Sequence, residues 1–170
     1  MATTPEPNLR RARPSDLERL LPLMAAFNRA ERIPFRPSRA AAGLARLLRR
    51  NALGVVTVAE SADRRRLEGY AIGTFGFDLE FDGPDAFLTE LFVRPKARRN
   101  GWGARLLDAV TAALRDGGAR AITLLVWPDN TAARRLYARA GFEEIPRVAM
   151  VRRLPAGAPK RRRRVPGPDG

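Results

Sequence analysis

The sequence predicts a mixed α/β domain in which helices cover both faces of a central sheet. Two observations lead to this prediction. Apolar residues recur at helical spacing in four segments, and strand-like runs of alternating or continuous apolar residues lie between those segments. The chain has 170 residues, of which 45% are hydrophobic, and this is enough for one compact domain with a buried core.

The N-terminal third is predicted to hold one short strand and two helices. Leu9–Arg13 is the strand. A helix begins near Ser15, because apolar residues then recur every three or four positions over Leu17–Phe27. A second helix begins after Ser38, and leucines within Leu44–Leu48 form its apolar stripe.

The pattern then changes to that of strands. Gly54–Glu60 and Leu67–Phe77 are predicted to form a hairpin, because a charged turn separates the two runs. Ala86–Val93 is the next strand. Ala121–Val126 is almost continuously apolar, so we expect a central strand that is buried on both faces.

Two more helices and a closing hairpin complete the predicted fold. A helix follows the turn Pro95–Gly101, and its buried face lies within Leu106–Leu114. Thr131–Ala140 is the last helix, and Phe142–Ile145 and Val148–Leu154 are predicted to pair as strands. The predicted element order is therefore β-α-α-β-β-β-α-β-α-β-β.

The ends of the chain differ in composition from the middle. We predict a flexible N-terminus over residues 1–8, one domain over 9–154 and a basic, disordered tail over 155–170. In the tail, Lys160 and Arg161–Arg164 lie among Gly, Pro and Ala. A solvated tail is the simplest interpretation, and the alternative is a tail that docks on nucleic acid, a ribosome or another acidic partner. No aromatic residue interrupts the basic run, so stacking on bases is not supported.

Composition excludes several functional classes. The sequence has no apolar run long enough to span a membrane, and its polar, proline-interrupted start is unlike a signal peptide. The absence of Cys removes thiol nucleophiles and disulfides and suits the cytoplasm, and the absence of His removes the usual general base and metal ligand. We therefore expect no metal. The net charge of +14 would attract a polyphosphate ligand or nucleic acid, and charge alone does not distinguish them.

A glycine-containing turn carries the first chemical signal. It lies between a predicted strand that ends at Val93 and a predicted helix. Glycines let the backbone approach an anion closely, and the free N–H groups at a helix start attract negative charge. The alternative is an ordinary turn before a helix. The residues expected to hold the anion are Arg98, Arg99, Asn100, Gly101, Trp102, Gly103 and Ala104.

Two motifs together resemble a known family. Arg98-x-x-Gly101-x-Gly103, after a strand that ends in Val93-x-Pro95, resembles motif A of the Gcn-related N-acetyltransferase (GNAT) superfamily. The segment Asn130…Tyr137…Gly141-Phe142 resembles the second motif of that superfamily, and the element order matches over Leu9–Leu154. The resemblance implies acetyl-CoA as co-substrate, with its pyrophosphate on the turn, and it allows a homodimer. The pantetheine would lie beside Leu91, Phe92 and Val93.

The second motif supplies a candidate acid and a candidate cofactor contact. By resemblance, Tyr137 is the general acid that protonates the departing thiolate of CoA, because a positioned hydroxyl makes a thiolate easier to expel. The alternative is a tyrosine that only packs at a helix end. Asn130 would help to hold the cofactor, and its position also suits a helix N-cap.

Glu90 is the candidate base. Within Ala86–Val93 it is expected to share a face with Leu88 and Phe92, which is an unusual setting for a carboxylate. An amine with a pKa near 10.4 is almost fully protonated at pH 7, so some group must take its proton. Glu90 could do so directly or through water, provided that burial raises its pKa. The alternative is a structural carboxylate paired with an arginine.

Other acids are candidates for the acceptor side. Asp78, Glu80, Asp82 and Asp85 precede Glu90, and a negative patch there would attract a cationic amine. Asp82 and Asp85 fit a solvated loop equally well, whereas the apolar neighbours of Glu80 predict a strand. Further candidates for the acceptor side are Glu31, Phe35 and Arg36, between the first two helices, because this region usually varies with substrate in the superfamily. The substrate-binding candidates are Asp78, Glu80, Glu31 and Phe35.

We therefore predict an N-acetyltransferase that moves acetyl from acetyl-CoA to a primary amine by direct attack in a ternary complex. Without Cys or a Ser–His pair, no covalent enzyme intermediate is expected. The acids around Glu90 favour a small cationic amine. The alternatives are a protein lysine or N-terminal acetyltransferase, and a catalytically silent CoA-binding module that docks on nucleic acid through its basic tail.

Overall fold

The protein is represented by a computed structural model that describes residues 8–154. This part of the chain forms five strands and four helices. The strands are β1 (Asn8–Arg11), β2 (Gly54–Glu60), β3 (Leu67–Asp78), β4 (Gly83–Val93) and β5 (Ile122–Leu124). The helices are α1 (Leu17–Ala30), α2 (Pro37–Arg49), α3 (Trp102–Asp116) and α4 (Thr131–Arg139).

The five described strands make one sheet in the order β1-β2-β3-β4-β5. The pairs from β1 to β4 are antiparallel, and β5 runs parallel to β4. The parallel pair follows from the connection through α3, because parallel neighbours need a long crossover. The site discussed below lies where this change of direction occurs.

Helices pack on both faces of the sheet, as predicted. On one face α1 and α2 bury a set of side chains that we call the α1/α2-side cluster. On the other face α3 covers the α3-side cluster, where its residues Leu106, Leu107, Val110 and Leu114 are buried as their spacing predicts. The main members of the α1/α2-side cluster are Leu20, Leu23, Leu44, Val58, Tyr70, Ile72 and Phe92.

A β-bulge at Thr89 corrects the predicted face pattern of β4. Ile72 pairs with Glu90 and the next β3 residue, Gly73, pairs with Leu88, so Thr89 is an extra residue and its hydroxyl donates to the Ile72 carbonyl at 3.1 Å. An inserted residue shifts the alternation by one. Leu88 therefore lies in the α3-side cluster, whereas Glu90 lies on the opposite face of the sheet. The prediction that Glu90 and Leu88 share a face is wrong.

The last part of the chain departs from prediction. β5 has three residues and lies at the edge of the described sheet, and Leu125 beside it is 67% exposed, so the predicted doubly buried central strand is wrong. The residues of Phe142–Leu154 form no strand, so the predicted closing hairpin is also wrong. An isolated hairpin is marginal in water, and this one would need a longer sheet edge to pair with.

The predicted fold class and the first nine elements are confirmed. The flexible N-terminus was predicted to include Asn8, which instead begins β1, and its other residues lie outside the described part. The tail 155–170 also lies outside it. None of the helices between residues 8 and 154 has the length and apolar character needed to cross a bilayer.

A buried ion cluster joins β1, β2 and the start of α1. Arg10 donates to both oxygens of Asp16, at 2.7 and 2.8 Å, and also to Glu60 at 2.7 Å. Arg19 forms ion pairs with the same two carboxylates. Asp16 and Glu60 are only 2% and 4% exposed. The Arg10 hydrogen bonds hold the pKa of each carboxyl below its ordinary value.

We predict that Arg10→Met lowers the free energy of unfolding by about 3 kcal/mol at pH 7, because two buried carboxylates then share a single arginine, Arg19, among the described residues. Urea unfolding measures the change. The depressed carboxyl pKa values stabilise the fold above about pH 4, and this contribution disappears as pH falls through the folded-state values, so the difference between the two proteins should shrink below about pH 4. Arg46→Met, at an exposed position of α2, is the control. A loss below about 1 kcal/mol would contradict the assigned role.

Candidate active site

The candidate site begins where β4 and β5 stop pairing. Their ladder joins only Ala86–Leu88 to Ile122–Leu124. Beyond these pairs β4 continues to Val93, whereas β5 ends. A gap therefore opens beside the second half of β4, and main-chain groups at that edge are left for a ligand.

Alternation identifies the β4 groups that face this gap. The N–H of Arg94 donates to the Glu68 carbonyl just before β3 residue Gly69, at 2.8 Å. Because successive residues of a strand bond to opposite sides, the main-chain groups of Leu91 and Val93 point to the open edge. Those of Phe92 point to β3, and its ring packs in the α1/α2-side cluster. Of the three predicted contacts on β4, a ligand in the gap can reach the main chain of Leu91 and the N–H of Val93, whose carbonyl already accepts a hydrogen bond from Arg98.

The predicted anion-binding turn lies at the same end of β4. Arg99 and Gly101 both adopt left-handed backbone conformations, with φ of 66° and 77°, and this sharp turn ends at the first residues of α3. The first intrahelical hydrogen bond runs from the Arg105 N–H to the Gly101 carbonyl, at 3.1 Å. The N–H groups of Trp102, Gly103 and Ala104 precede it, so none of them has a partner within the helix.

Side chains hold this turn in place. Arg98 donates from Nε to the Val93 carbonyl at 3.0 Å, and its guanidinium lies 5.9 Å from the centre of the Phe92 ring. Trp102 is 8% exposed and packs in the α3-side cluster. Asn100 and Arg99 are exposed. The turn therefore has a fixed base and a solvent-facing rim with positive charge.

Helix α4 brings Tyr137 to the site. A Cβ at Gly103 would lie 3.5 Å from Leu136 Cδ2, so the two helices approach closely where α3 begins. Tyr137, the next residue, packs against Phe142 with ring centres 5.8 Å apart. Burial, assisted by the charge of Glu31, raises the pKa of Tyr137 to about 12, so its hydroxyl keeps its proton at neutral pH.

A small cavity lies between the end of α1 and the loop before α4. Its volume is about 200 Å³, and its lining residues are Ala30, Glu31, Arg32, Trp127, Asp129 and Asn130. Asn130 also caps α4 by accepting a hydrogen bond from the Ala133 N–H at 3.2 Å, so the predicted N-cap is confirmed. Its predicted contact with a cofactor stays a prediction.

Glu90 has a tyrosine partner. The Tyr70 hydroxyl donates to Glu90 Oε2 at 2.5 Å, and Tyr70 is completely buried. Among residues 8–154 no arginine lies within ion-pair distance of Glu90, so the structural alternative of an arginine partner is wrong. Burial raises the pKa of Glu90, and the Tyr70 hydrogen bond opposes that rise only in part.

The acids before Glu90 are not gathered around it. Asp78 lies six residues along β3 from Ile72, the partner of Glu90, which corresponds to about 20 Å at 3.3 Å per residue. Glu80 lies in a 3₁₀ turn and not in the predicted strand, and it pairs with Arg147 at 2.7 Å. Phe35 packs beside the α1/α2-side cluster. The substrate-binding roles of these three residues stay predictions.

Sequence reasoning missed Tyr70, Trp127 and Asp129. A tyrosine within an apolar strand signals that its hydroxyl needs a buried partner, and this signal could have singled out Tyr70. The identity of the partner depends on the Thr89 bulge, which no local pattern shows. Trp127 and Asp129 are recognised only because the fold brings their loop to the end of α1.

The comparisons with known proteins agree with this geometry. The family model described as "Acetyltransferase (GNAT) family" matches residues 20–142, which is well over half of the chain. The chain belongs to the GNAT family. The predicted family is therefore confirmed.

Similar proteins give the same result. This GNAT chain is 34% identical over 96 residues to an aminoglycoside N(6')-acetyltransferase type 1 of Serratia marcescens, a match that covers 52% of the chain. The chain spans between 38% and 66% of the length of the curated relatives it matches.

Solved structures resemble the whole domain. The integron cassette protein HFX_CASS3, from the mobile metagenome of Cole Harbour Salt Marsh, is 30% identical with a TM-score of 0.76, over 88% of this chain and 91% of that one. The aminoglycoside N-acetyltransferase AAC(6')-Iy, solved in complex with CoA, has a TM-score of 0.77 at 22% identity, over 90% and 98% of the two chains. The latter likeness concerns the fold.

The residues of this GNAT chain fit a CoA thioester. A diphosphate needs close approach to backbone amides, and a Cβ at Gly101 would meet no atom within 4 Å, so the rim of the turn is open. The exposed Arg99 adds positive charge, and the open β4 edge offers hydrogen bonds to an extended amide chain. Within residues 8–154 no group of three or more acidic residues is placed to hold a metal ion.

We predict different effects on stability for alanine at the two glycines of the turn. Gly101→Ala should lower the free energy of unfolding by about 1 kcal/mol, because a Cβ is strained at positive φ. Gly103→Ala should leave it unchanged or raise it by up to about 1 kcal/mol, because its Cβ meets Leu136 at ordinary contact distance in a helix. Urea unfolding of the two variants and the wild type measures these free energies. Equal stabilities would show that residue 101 is not held in the left-handed conformation.

Proposed function

We propose that this chain is an N-acetyltransferase that moves an acetyl group from acetyl-CoA to a primary amine in a ternary complex. The observation that carries the proposal is the gap between β4 and β5, which leads directly to the free N–H groups at the start of α3. Membership of the GNAT family supports the same reaction.

The cofactor would be held mainly by main-chain groups. The N–H groups of Trp102, Gly103 and Ala104 suit the diphosphate, and the positive end of the helix dipole adds to their attraction. Arg99 supplies charge at the rim, and the edge of β4 at Leu91 and Val93 suits the pantetheine amides. When bound there, acetyl-CoA supplies an activated acetyl group. A backbone N–H of the same edge is suited to polarise its carbonyl.

Glu90 is the proposed base. Its burial raises the pKa of the carboxyl, which brings it closer to the working pH and makes it a better proton acceptor than an exposed glutamate. It would take the proton that the ammonium form of the acceptor must lose, either directly or through water. No arginine among the described residues forms an ion pair with Glu90, so no cation competes with the proton for its carboxylate.

Tyr137 is the proposed acid. With a pKa of about 12 its hydroxyl is protonated across the physiological range, as a proton donor must be. It lies on α4 beside the contact with the start of α3, at the same end of the domain as the turn. Its hydroxyl would donate to the sulfur as the thioester bond breaks, and the second proton released by the newly acylated nitrogen would return the tyrosine to its neutral form.

A small cationic amine is the proposed acceptor. The cavity at the end of α1 is small, and its lining includes two carboxylates, of Glu31 and Asp129, against one guanidinium, of Arg32, so the acidic side chains that suit an ammonium group are in excess. The similarity to an aminoglycoside N-acetyltransferase supports an acceptor of this class. A protein lysine or N-terminal amine is the alternative acceptor within the same reaction.

An acetylation assay on a panel of amines tests the proposal. We expect the purified protein to release CoA from acetyl-CoA with at least one aminoglycoside or polyamine, and more slowly with lysine peptides. Mass spectrometry of the amine should show one added acetyl group. Thermal stabilisation by CoA without turnover on any amine would contradict the enzyme and favour a silent CoA-binding module.

In the same assay Tyr137→Phe should lower kcat by about 100-fold or more, because the proton donor to the sulfur is lost while the ring is kept. The affinity for CoA should remain within about twofold, measured by calorimetry. The control is Arg46→Met, at an exposed position of α2, which should keep the kcat of the wild type. An unchanged kcat would remove Tyr137 from the acid role.

A further inference from the structure

The buried hydroxyl of Tyr70 makes one hydrogen bond among the described residues, and its partner is Glu90. Tyr70 pairs with Phe92 across the β3–β4 ladder, and Glu90 is the diagonal neighbour on the same face. The ring is fully buried: it lies beside Val58 on β2, 6.2 Å from the Phe92 ring between centres, and in the same core cluster as leucines of α1. From this position its hydroxyl donates to Glu90 Oε2 at 2.5 Å.

This hydrogen bond restricts Glu90 more than burial alone would. Among residues 8–154, Tyr70 is the only hydrogen-bond partner of the Glu90 carboxylate. A glutamate side chain has three rotatable bonds, and anchoring one oxygen removes most of their freedom. The second oxygen, Oε1, is then left as the proton acceptor.

We propose that Tyr70 is a positioning residue for the reaction: its hydroxyl anchors Oε2 of Glu90 and leaves Oε1 in a fixed place to accept the proton of the acceptor amine, directly or through a water. The proposal rests on the role of Glu90 as base in the proposed function. It adds to that role a residue that never touches the substrate.

The same hydrogen bond sets the pH at which Glu90 works. Tyr70 donates a proton to the ionised carboxylate and therefore favours it, which lowers the pKa of Glu90, while burial raises it more strongly. Tyr70 itself does not ionise in the working range, because burial and the nearby carboxylate hold its pKa far above the ordinary value. It therefore acts as a fixed donor.

Other charged groups around this face are engaged elsewhere. On α1, Arg19 belongs to the ion cluster with Asp16 and Glu60, and Glu18 and Arg29 are exposed. Glu31, just after α1, helps to raise the pKa of Tyr137. On β3, Glu68 pairs with Arg66 at 3.4 Å. Just after β4, Arg94 donates from Nε to the Leu67 carbonyl at 2.8 Å, and the Arg98 guanidinium lies 5.9 Å from the centre of the Phe92 ring. The arginines of α2 that remain, Arg39, Arg46 and Arg49, are exposed. Burial and Tyr70 are thus the two influences on the pKa of Glu90.

The test removes the hydroxyl and keeps the ring. In Tyr70→Phe the ionised carboxylate loses its donor, so the pKa of Glu90 should rise by about 1 to 2 units. Because the base must be deprotonated, the acidic limb of the kcat–pH profile should move to higher pH by the same amount. Val58→Ala, which removes packing beside Tyr70 on the side away from Glu90, should leave the limb in place.

A second readout needs no turnover. In protein labelled with ¹³C at glutamate carboxyls, the Glu90 signal is identified by its loss in Glu90→Gln and is titrated in the wild type and in Tyr70→Phe. A rise in the Glu90 pKa together with a shifted kcat limb supports the proposal. An unchanged Glu90 pKa overturns it, whether or not an amine substrate has been found.

The two readouts separate this proposal from the proposed function. A raised Glu90 pKa with an unmoved kcat limb would confirm the link between Tyr70 and Glu90 but overturn Glu90 as the base, and with it the positioning role. If Tyr70→Phe does not fold, 3-fluorotyrosine placed at position 70 keeps the ring and provides a stronger donor. The Glu90 pKa and the kcat limb should then move to lower pH, and no movement would overturn the proposal.

Discussion

The main-chain ladder between β4 and β5 stops after three residue pairs, and the candidate site exists because it stops there. A sheet whose strands stayed paired would leave no main-chain groups for a ligand. Here the second half of β4 keeps its bonds to β3 on one edge and leaves the other edge open. The turn and the start of α3 continue directly from that open edge, so the strand edge and the helix terminus form one continuous binding surface.

The same stretch of β4 carries the proposed base. The Thr89 bulge shifts the alternation, so that Leu88, just before it, faces α3 whereas Glu90 faces α1 and α2. This places a carboxylate in an apolar layer, where desolvation raises its pKa and a buried tyrosine supplies its hydrogen bond. Tyr137 is also desolvated, and there the effect is to keep a proton on the hydroxyl. Burial thus raises both pKa values: it makes Glu90 a better proton acceptor, and it keeps Tyr137 protonated as a proton donor.

Features set by neighbouring residues in the sequence could be predicted. The turn at Gly101 is one of them, because positive φ and a helix start are properties of a few consecutive residues. The helical faces of α1 and α3 are another, since their period is local. These local features were enough to predict the fold class, the family and the turn of the candidate site.

Features set by pairing between distant segments could not be predicted. The Tyr70–Glu90 hydrogen bond depends on the register of β3 against β4, and one inserted residue decides it. The exposure of the segment after α4 depends on whether a sheet edge is available, which its alternating apolar residues do not reveal. The acids near Asp78 are close to Glu90 in sequence but about 20 Å from it along the strands, because an extended chain moves about 3.3 Å per residue.

The most direct measurement is a calorimetric titration of the protein with CoA, comparing the wild type with Gly101→Asp and Gly118→Asp. Both glycines have positive φ and open space around them, and they lie at opposite ends of α3, so backbone strain and added charge are matched. The wild type and Gly118→Asp should bind CoA, and Gly101→Asp should bind at least tenfold more weakly, because a carboxylate then occupies the diphosphate position. Equal CoA affinity in both variants, or no binding by the wild type, would contradict the account.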